Sequence, residues 1–256
     1  MRGVAIRLLT VALALLIWQA LIWLGELPSF LLPSPMKVAA SAWSQAGTLV
    51  DHALVTLAEV LLGLAAGVFL GLITAILVMR YLWLRRVLMP WLLASQAVPV
   101  FALAPLFVLW FGYGMGSKIA MALLIIYFPV TSSLLDGLAR TEPALLDLGR
   151  TIGAGPWRTL LLLRLPQALP SLASGLRLAS VYAPIGAVIG EWVGASAGLG
   201  YLMLLSNARM KIDMMFAALA VLAAMTMGLY ALMGWIARAL ERWARGLGRV
   251  PAAGLD

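Results

Sequence analysis

Long apolar runs separated by short polar stretches dominate the sequence. A helix needs about 20 mostly apolar residues to cross about 30 Å of hydrocarbon. Six stretches meet this requirement, at residues of about 4–24, 54–79, 87–111, 119–138, 169–193 and 214–237. The pattern predicts an all-α polytopic membrane protein with six transmembrane helices, in which residues 1–256 form a single transmembrane domain.

The composition excludes several other classes of protein. Of the 256 residues, 64% are apolar and 11% are charged, with a mean hydropathy of +1.02. A globular domain averages about 45–50% apolar and about 25% charged residues, so a soluble monomer could not bury this much apolar surface. The chain has no cysteine and only His52. We therefore expect no disulfide framework, no thiolate nucleophile and no metal site.

The distribution of basic residues predicts the orientation. If six spans are threaded, 14 of the 18 Lys and Arg residues fall on one side, and only Lys37, Lys118, Arg209 and Lys211 fall on the other. The positive-inside rule then places both termini and the 80–86 and 139–168 connections in the cytoplasm. The net charge of +8 reflects this topology and contact with membrane lipid headgroups, so we expect no nucleic-acid partner.

Two connections are too long and too structured for plain turns. Residues 25–52 contain Leu-Pro-Ser-Pro-Met-Lys at 32–37, which predicts a turn followed by an amphipathic helix over about 36–50. Residues 139–168 are rich in glycine and proline yet moderately apolar, which predicts short helices beneath the membrane. A cleaved signal peptide is the alternative interpretation of the first run, but that run is long and no A-x-A site follows it.

Glycines recur at every fourth residue in two of the runs. They are Gly63, Gly67 and Gly71 in the second span, and Gly186, Gly190 and Gly194 in the fifth. Such rows let two helix backbones approach closely in lipid. Ordinary helix packing is the simpler interpretation; the alternative is that the rows allow helices to slide during a conformational cycle.

Proline interrupts three successive predicted spans. Carbonyls freed by proline need a partner or a water-lined cavity, so a central pathway is one hypothesis. Gln96 next to Pro99, and Tyr182 next to Pro184, are candidate pathway residues.

Three ionisable residues, Glu59, Arg177 and Glu191, also fall within predicted spans. Such residues are costly in a membrane and suggest a function. We expect Glu59 and Glu191 near outer ends where water reaches them, and Arg177 near an inner end. Interfacial or interhelical hydrogen bonding is then the simpler interpretation, and Glu191 stays a candidate for the pathway.

No enzyme motif is found in the sequence. There is no G-x-x-x-x-G-K-[ST] phosphate loop, so the chain is not expected to hydrolyse ATP. The glycine-rich segment 112–116 lies outside the predicted spans and opens no nucleotide fold, and the serines and His52 form no triad pattern. We predict no catalytic residue.

The 139–168 connection carries the most specific motif. Its segment Asp147-Leu-Gly-Arg-Thr-Ile-Gly153-Ala-Gly-Pro-Trp-Arg-Thr-Leu-Leu-Leu-Leu163-Arg-Leu-Pro166 resembles the E-A-A-x3-G-x9-I-x-L-P signature of the permeases of binding-protein-dependent ABC importers. Asp replaces Glu and Leu-Gly replaces Ala-Ala, whereas the spacing is intact. The pattern predicts a helix before Gly153, a glycine turn and a second short helix ending at Pro166, a unit able to dock into a groove of a partner.

The resemblance implies a role for this unit. It would be the coupling helix that contacts a cytoplasmic ATPase. The implied coupling residues are Asp147, Gly149, Gly153, Ala154, Gly155, Leu163, Leu165 and Pro166.

Further segments resemble one subgroup of these permeases. Leu32-Pro-Ser-Pro35, Gln96-Ala-Val-Pro-Val-Phe-Ala-Leu-Ala-Pro-Leu106, Trp110-Phe-Gly-Tyr-Gly114 and Gly190-Glu-Trp-Val-Gly194 look like the subgroup for sulfonates, taurine, nitrate and thiamine-precursor pyrimidines. Within it, Thr-Leu-Ala-Glu59 and the 183–195 and 207–210 segments look most like the hydroxymethylpyrimidine branch.

The resemblance implies an inner-membrane homodimer that transports a small solute. An external binding protein would deliver the solute, and two ATPase subunits would bind ATP and Mg while this chain holds no cofactor. The cargo would be a thiamine-precursor pyrimidine, with a sulfonate, taurine or nitrate as alternatives. A secondary transporter using Glu59 or Glu191 as its ion site is the alternative of another class. A membrane-embedded enzyme is disfavoured, because the spans lack clustered His, Asp or Cys.

Overall fold

The computed structural model describes residues 2–247, with side chains at residue 6 and residues 9–244. Every regular element in this part of the chain is helical, as the sequence predicts. The helices are α1 (Arg2–Leu24), α2 (Pro35–Ser44), α3 (Ala46–Arg80), α4 (Leu82–Ala97), α5 (Val100–Phe111), α6 (Met115–Ala139), α7 (Pro143–Thr151), α8 (Pro156–Arg158), a π-helical segment (Thr159–Arg164), α9 (Leu165–Gly194), α10 (Leu199–Ala208) and α11 (Ile212–Leu247). Residue 1 and residues 248–256 of the predicted domain lie outside the described residues.

Helices α3, α6 and α9 form the centre of the bundle. Helix α6 packs along both α3 and α9, and α11 covers another face of α9. The main core cluster comes from these helices and includes Val60, Ile126, Leu134 and Ala183, all fully buried. Large apolar side chains on α1, α5 and α11 remain exposed, as expected of helices that face lipid or a further subunit.

The outer connection contains the helix that the sequence predicts, with different bounds. Helix α2 begins at Pro35 because Ser34 caps it: the Lys37 amide donates to the Ser34 hydroxyl at 3.3 Å. It ends at Ser44, and α3 begins at Ala46. The second span thus starts eight residues before its predicted beginning at about 54, because a hydropathy window marks only the apolar part of a longer helix.

The predicted third span, 87–111, is not one straight helix. It is split into α4 and α5, whose axes differ by 104°. Val98 takes an extended conformation with φ −87° and ψ 121°. Pro99 disfavours helical backbone at the residue before it and cannot donate a helical hydrogen bond. The helix pair is therefore either a broken span or a re-entrant segment.

The predicted second short helix, ending at Pro166, is also corrected by the structure. Helix α8, the π-helical segment and α9 form one continuous helix over Pro156–Gly194. Pro166 can be accommodated because it lies in the first turn of α9, directly after a π-helical stretch whose hydrogen bonds already depart from the α pattern. Residues 156–168 of the connection and the fifth span therefore form a single helix.

The described residues contain four helices long and apolar enough to span a membrane, and five if α4 and α5 together count as one span. The six-span topology and its orientation therefore stay predictions. The Arg80 guanidinium lies over the Trp157 ring, so the end of α3 and the α7–α8 region share one end of the bundle. We call this the inner end and the opposite one the outer end.

Candidate functional site

A left-handed glycine ends α7 at the inner end. Gly153 has φ +67°, a conformation that other residues adopt only with strain. Its amide donates to the Arg150 carbonyl at 3.0 Å, and the Ala154 amide donates to the Gly149 carbonyl at 2.8 Å. These two bonds make a Schellman turn, which satisfies carbonyls that would otherwise be left free. The motif glycine is thus the residue that stops α7 and reverses the chain.

The same turn brings α7 back onto the long helix. A Cβ on Gly149 would lie 2.8 Å from Leu163 Cδ1, so any larger side chain at this position requires the Leu163 side chain to move. Two motif positions fourteen residues apart are therefore in direct contact. Gly155 follows with φ −64° and caps α8, while Leu165 and Pro166 begin α9. The motif spacing corresponds to a compact helix–turn–helix unit.

The outward face of α7 is exposed. Asp147 forms an ion pair at 2.8 Å with Arg150, and both side chains are exposed. Beside them Leu148 is 55% exposed and Ile152 is 69% exposed. A charged pair bordered by exposed aliphatic side chains on a rigid turn has the composition of a docking surface.

A buried polar cluster joins three helices at the outer end. The Thr56 hydroxyl donates to Glu191 Oε1 at 2.6 Å and accepts from the Leu199 amide at 2.7 Å. The Gly200 amide donates to Glu191 Oε2. Glu191 on α9 therefore lies at the N-terminus of α10, where a carboxylate is favoured by free amides and by the helix dipole.

Glycine makes room for this cluster. A Cβ on Gly198, which has φ +106°, would overlap the Glu191 carboxyl, and one on Gly200 would lie 2.7 Å from Glu191 Oε2. The Gly198 amide also donates to His52 Nδ1 at 3.0 Å. The cluster thus fixes α10 to both α3 and α9.

Two further ionisable side chains lie beside Glu191. Glu59 and Lys118 are 2% and 1% exposed, and Glu191 is 1% exposed. The Lys118 ammonium donates to the carbonyls of Tyr113, Gly114 and Gly194. The expectation that water reaches Glu59 and Glu191 is wrong for this structure, because neighbouring helices cover both carboxyls. Lys118 was predicted to lie in the outer connection, whereas its side chain lies inside the bundle.

The predicted pathway residues lie on two helices, α4 and α9, and in the break between α4 and α5. Gln96 and Pro99 flank the break between α4 and α5 and are exposed, and the Gln96 amide donates to its neighbour Ser95 at 3.2 Å. Tyr182 is half-exposed on α9, whereas Pro184 and Glu191 on the same helix are buried. The pathway assignment stays a prediction.

A groove of about 980 Å³ between α9 and α11 was not anticipated from the sequence. Its polar lining comes from Arg177, Thr226, Tyr230 and Arg238. Arg177 also forms an ion pair with Glu241 at 3.2 Å. The polar positions on α11, Thr226, Tyr230 and Arg238, are separated by multiples of four residues and therefore share one helix face, a spacing that could have marked them in the sequence.

The glycine rows lie at the closest helix contacts. A Cβ on Gly63 would lie 2.5 Å from Ala122 Cβ, and one on Gly186 would lie 2.6 Å from Ala122 Cα. Helix α6 is therefore held between the row on α3 and the row on α9. The remaining members of the two rows also face α6 or the end of α5: Gly67 meets Ile126, Gly71 meets Val130, Gly190 meets Lys118 and Gly194 meets Val108.

Long apolar helices packed through glycine define a polytopic helical membrane protein. Residues 67–246 match the family described as "Binding-protein-dependent transport system inner membrane component". The chain belongs to this family and is a multi-pass component of the inner membrane. No cluster of His, Asp or Glu able to hold a metal ion occurs among the residues that the structure describes.

Three curated relatives match over most of the chain. A probable ABC transporter permease protein of Haemophilus influenzae is 53% identical, covering 90% of this chain and 94% of its own. The riboflavin transport system permease protein RibX of Chloroflexus aurantiacus is 38% identical, covering 91% and 88%. The formylaminopyrimidine transport permease protein ThiX of Halalkalibacterium halodurans is 42% identical, covering 67% and 69%.

A solved structure shares the fold. The chain superposes on one from the inward-facing MetNI methionine ABC transporter with a TM-score of 0.67 at 20% identity. The match covers 77% of this chain and 98% of that one. The chain therefore shares the helical fold of that ABC transporter chain.

Proposed function

We propose that this chain is the membrane subunit of an ATP-driven importer for a thiamine-precursor pyrimidine. It acts as a homodimer, receives the solute from an external binding protein, and is driven by two cytoplasmic ATPase subunits. ATP and Mg are bound by those subunits, so this chain needs no cofactor and no catalytic residue. Its own task is to change access to a pathway when the ATPases change conformation.

The projecting unit formed by α7 and the Gly153 turn is the observation that carries the proposal. Its exposed face offers Asp147, Leu148 and Ile152 to a partner, while Gly149 and Leu163 fix its inner face to the long helix. A partner that moves α7 therefore also moves the start of the Pro156–Gly194 helix. Family resemblance assigns that partner as the ATPase and the motif residues as the coupling site.

The continuous helix provides a route from the inner to the outer end. Its 39 residues correspond to a length of about 58 Å at 1.5 Å per residue. At its outer end Glu191 holds α10 through the Gly200 amide and holds α3 through Thr56. A tilt imposed near Pro156 is thus transmitted to the elements around the outer cluster along one unbroken helix, which contains the π-helical stretch and the interior prolines Pro170 and Pro184.

The outer cluster has a structural role in this proposal. Glu191 has hydrogen-bond partners for both carboxylate oxygens, as expected of a residue that fixes a helix N-terminus. An ion-coupled secondary transporter would instead need this site to be accessible in turn from each side. Burial of Glu59, Lys118 and Glu191 within one cluster favours the structural role.

The names of two relatives support the choice of cargo. One is named for formylaminopyrimidine and another for riboflavin, and both molecules are heterocyclic vitamins or precursors. The groove between α9 and α11 contains hydroxyl and guanidinium groups that can hydrogen-bond to such a ring. A sulfonate, taurine or nitrate remains the competing cargo.

The docking surface can be tested with a single cysteine, because the chain has none of its own. Ile152→Cys and, as the control at the outer end, Met36→Cys replace side chains that are 69% and 78% exposed. With the partner ATPase bound, we expect maleimide labelling to fall at Ile152→Cys and to stay unchanged at Met36→Cys. Equal labelling at Ile152→Cys with and without the ATPase would refute the docking assignment.

Transport in proteoliposomes tests the cargo and the energy source. The permease, reconstituted with its ATPase and binding protein, should take up a radiolabelled hydroxymethylpyrimidine only when ATP is present. Taurine and nitrate serve as competing cargoes. Uptake by the permease alone under a proton or sodium gradient would instead favour the secondary transporter.

A further inference from the structure

A second cavity lies at the inner end, beside the projecting unit formed by α7 and the Gly153 turn, which we call the coupling unit. It has a volume of about 270 Å³ and lies between the end of α3, helix α7 and the start of the long helix. Three of its lining side chains are the arginines Arg80, Arg150 and Arg164, and none of its lining residues is acidic. The cavity is therefore strongly basic.

Two of these arginines lack an anionic partner among the residues that the structure describes. Arg80 Nε is buried and has no hydrogen-bond partner there. Arg164 makes only a long hydrogen bond, 3.4 Å, to the Leu138 carbonyl and a contact with the Met79 sulfur. Arg150 is paired with Asp147 on the exposed side of α7. Partly buried guanidinium groups without counter-ions are unfavourable, so an anion in the cavity would stabilise this arrangement.

The chemistry of the lining favours a phosphate group. The planar guanidinium fork matches phosphate oxygens, and two such groups can bind one phosphate from both sides. The Arg80 guanidinium also lies 4.9 Å from the Tyr81 ring centroid and 5.7 Å from that of Trp157. Tyrosine and tryptophan are typical of the depth at which lipid headgroups lie. Basic pockets between membrane helices on the cytoplasmic side bind anionic headgroups.

We propose that this cavity binds the phosphate group of an anionic phospholipid through Arg80 and Arg164. Because α7 and the start of the long helix form two of its walls, the bound headgroup ties the coupling unit to the membrane and to the end of α3. The identity of the transported solute does not enter this assignment. A soluble phosphate compound has the same binding chemistry, and the experiment below separates the two sources.

Native mass spectrometry of the full chain in neutral detergent tests the proposal. Phosphatidylglycerol is titrated into the wild type, the double variant Arg80→Gln/Arg164→Gln and the control Arg85→Gln/Arg86→Gln. The control removes two exposed charges from the same inner region. We expect one phosphatidylglycerol to bind the wild type and the control with the same affinity. Its affinity for the cavity variant should be about tenfold lower, a change of about 1.4 kcal/mol in binding free energy. Equal binding to all three proteins would overturn the proposal.

Two further arms identify the source of the phosphate. Phosphatidylcholine, whose headgroup carries no net charge, should bind the wild type and the cavity variant equally weakly. Inorganic phosphate at millimolar concentration should not displace phosphatidylglycerol from the wild type. If inorganic phosphate displaces phosphatidylglycerol from the wild type but not from the cavity variant, the site binds a soluble anion and the lipid assignment is overturned. Matched melting temperatures of the variants exclude misfolding as the cause of weaker binding.

Discussion

Replacing Gly153 with serine should weaken the coupling between ATP hydrolysis and transport. A side chain at this position meets no heavy atom within 4 Å, so the effect comes only from the backbone. At φ +67°, an L-residue costs roughly 1–2 kcal/mol relative to glycine. A change of this size lowers the population of the native turn by about 5–30-fold relative to open forms.

The chain provides a matched control two residues away. Gly155 also has no heavy atom within 4 Å of an added Cβ, but its φ is −64°, which serine adopts freely. Serine there also suits the N-cap of α8. Gly155→Ser should therefore keep the turn and the start of α8 intact. Gly153→Asn should recover most of the function, because asparagine tolerates the left-handed conformation better than other residues.

The assay measures solute imported per ATP hydrolysed in proteoliposomes, together with hydrogen exchange of the Gly153 and Ala154 amides. Both amides are hydrogen-bonded in the turn, to the carbonyls of Arg150 and Gly149. We expect Gly153→Ser to insert and bind the ATPase, to exchange these amides faster, and to import less solute per ATP. If Gly153→Ser matches Gly155→Ser in both measurements, the turn does not need its left-handed glycine and the coupling assignment is wrong.

Two further pairs of variants test packing and the outer cluster by melting temperature in detergent. Gly186→Ala puts a Cβ 2.6 Å from Ala122 Cα and should destabilise the bundle by about 1–3 kcal/mol. Gly228→Ala, whose Cβ would have nothing within 4 Å, should be neutral or stabilising. Equal losses of melting temperature in the two variants would contradict the close packing of α6 and α9. Thr56→Val leaves buried groups at both ends of its hydrogen bonds unsatisfied and should cost about 1–3 kcal/mol. Thr226→Val removes only a hydrogen bond to the carbonyl four residues earlier and should change the melting temperature little. A loss at Thr56→Val no larger than that at Thr226→Val would show that the outer cluster does not stabilise the fold.

Most of the projecting unit formed by α7 and the Gly153 turn could be predicted from local sequence. The motif spacing predicted a helix, a glycine turn and a following helical segment, and these elements are present around Gly153. The end of the second helix at Pro166 was wrong, because proline is tolerated in a first helical turn and a π-helical stretch precedes it. Proline residues mark positions of altered hydrogen bonding, but the sequence does not say whether the helix ends there.

The outer cluster shows what the sequence left open. Glu59 and Glu191 were identified as unusual because charges within spans are costly. Their burial, and their association with Lys118, depends on three helices meeting at one level. Thr56 was noted only within the Thr-Leu-Ala-Glu59 resemblance, and nothing in the sequence connected Thr56, Gly198 or Gly200 to Glu191. Each is ordinary in its own segment, and its role comes from a partner on another helix.

The sequence by itself determined that this is a helical membrane protein of the importer-permease family, because apolar runs of spanning length and a motif of fixed spacing are local features of the chain. Only the tertiary structure decided the 104° break before α5, the continuity of the long helix and the grouping of buried charges at the outer end. Pro99 marks where the break falls, but the angle of the break and the grouping of the charges depend on which surfaces of distant helices meet. Hydrophobicity requires each helix to bury a face, but it does not specify the partner against which that face is buried.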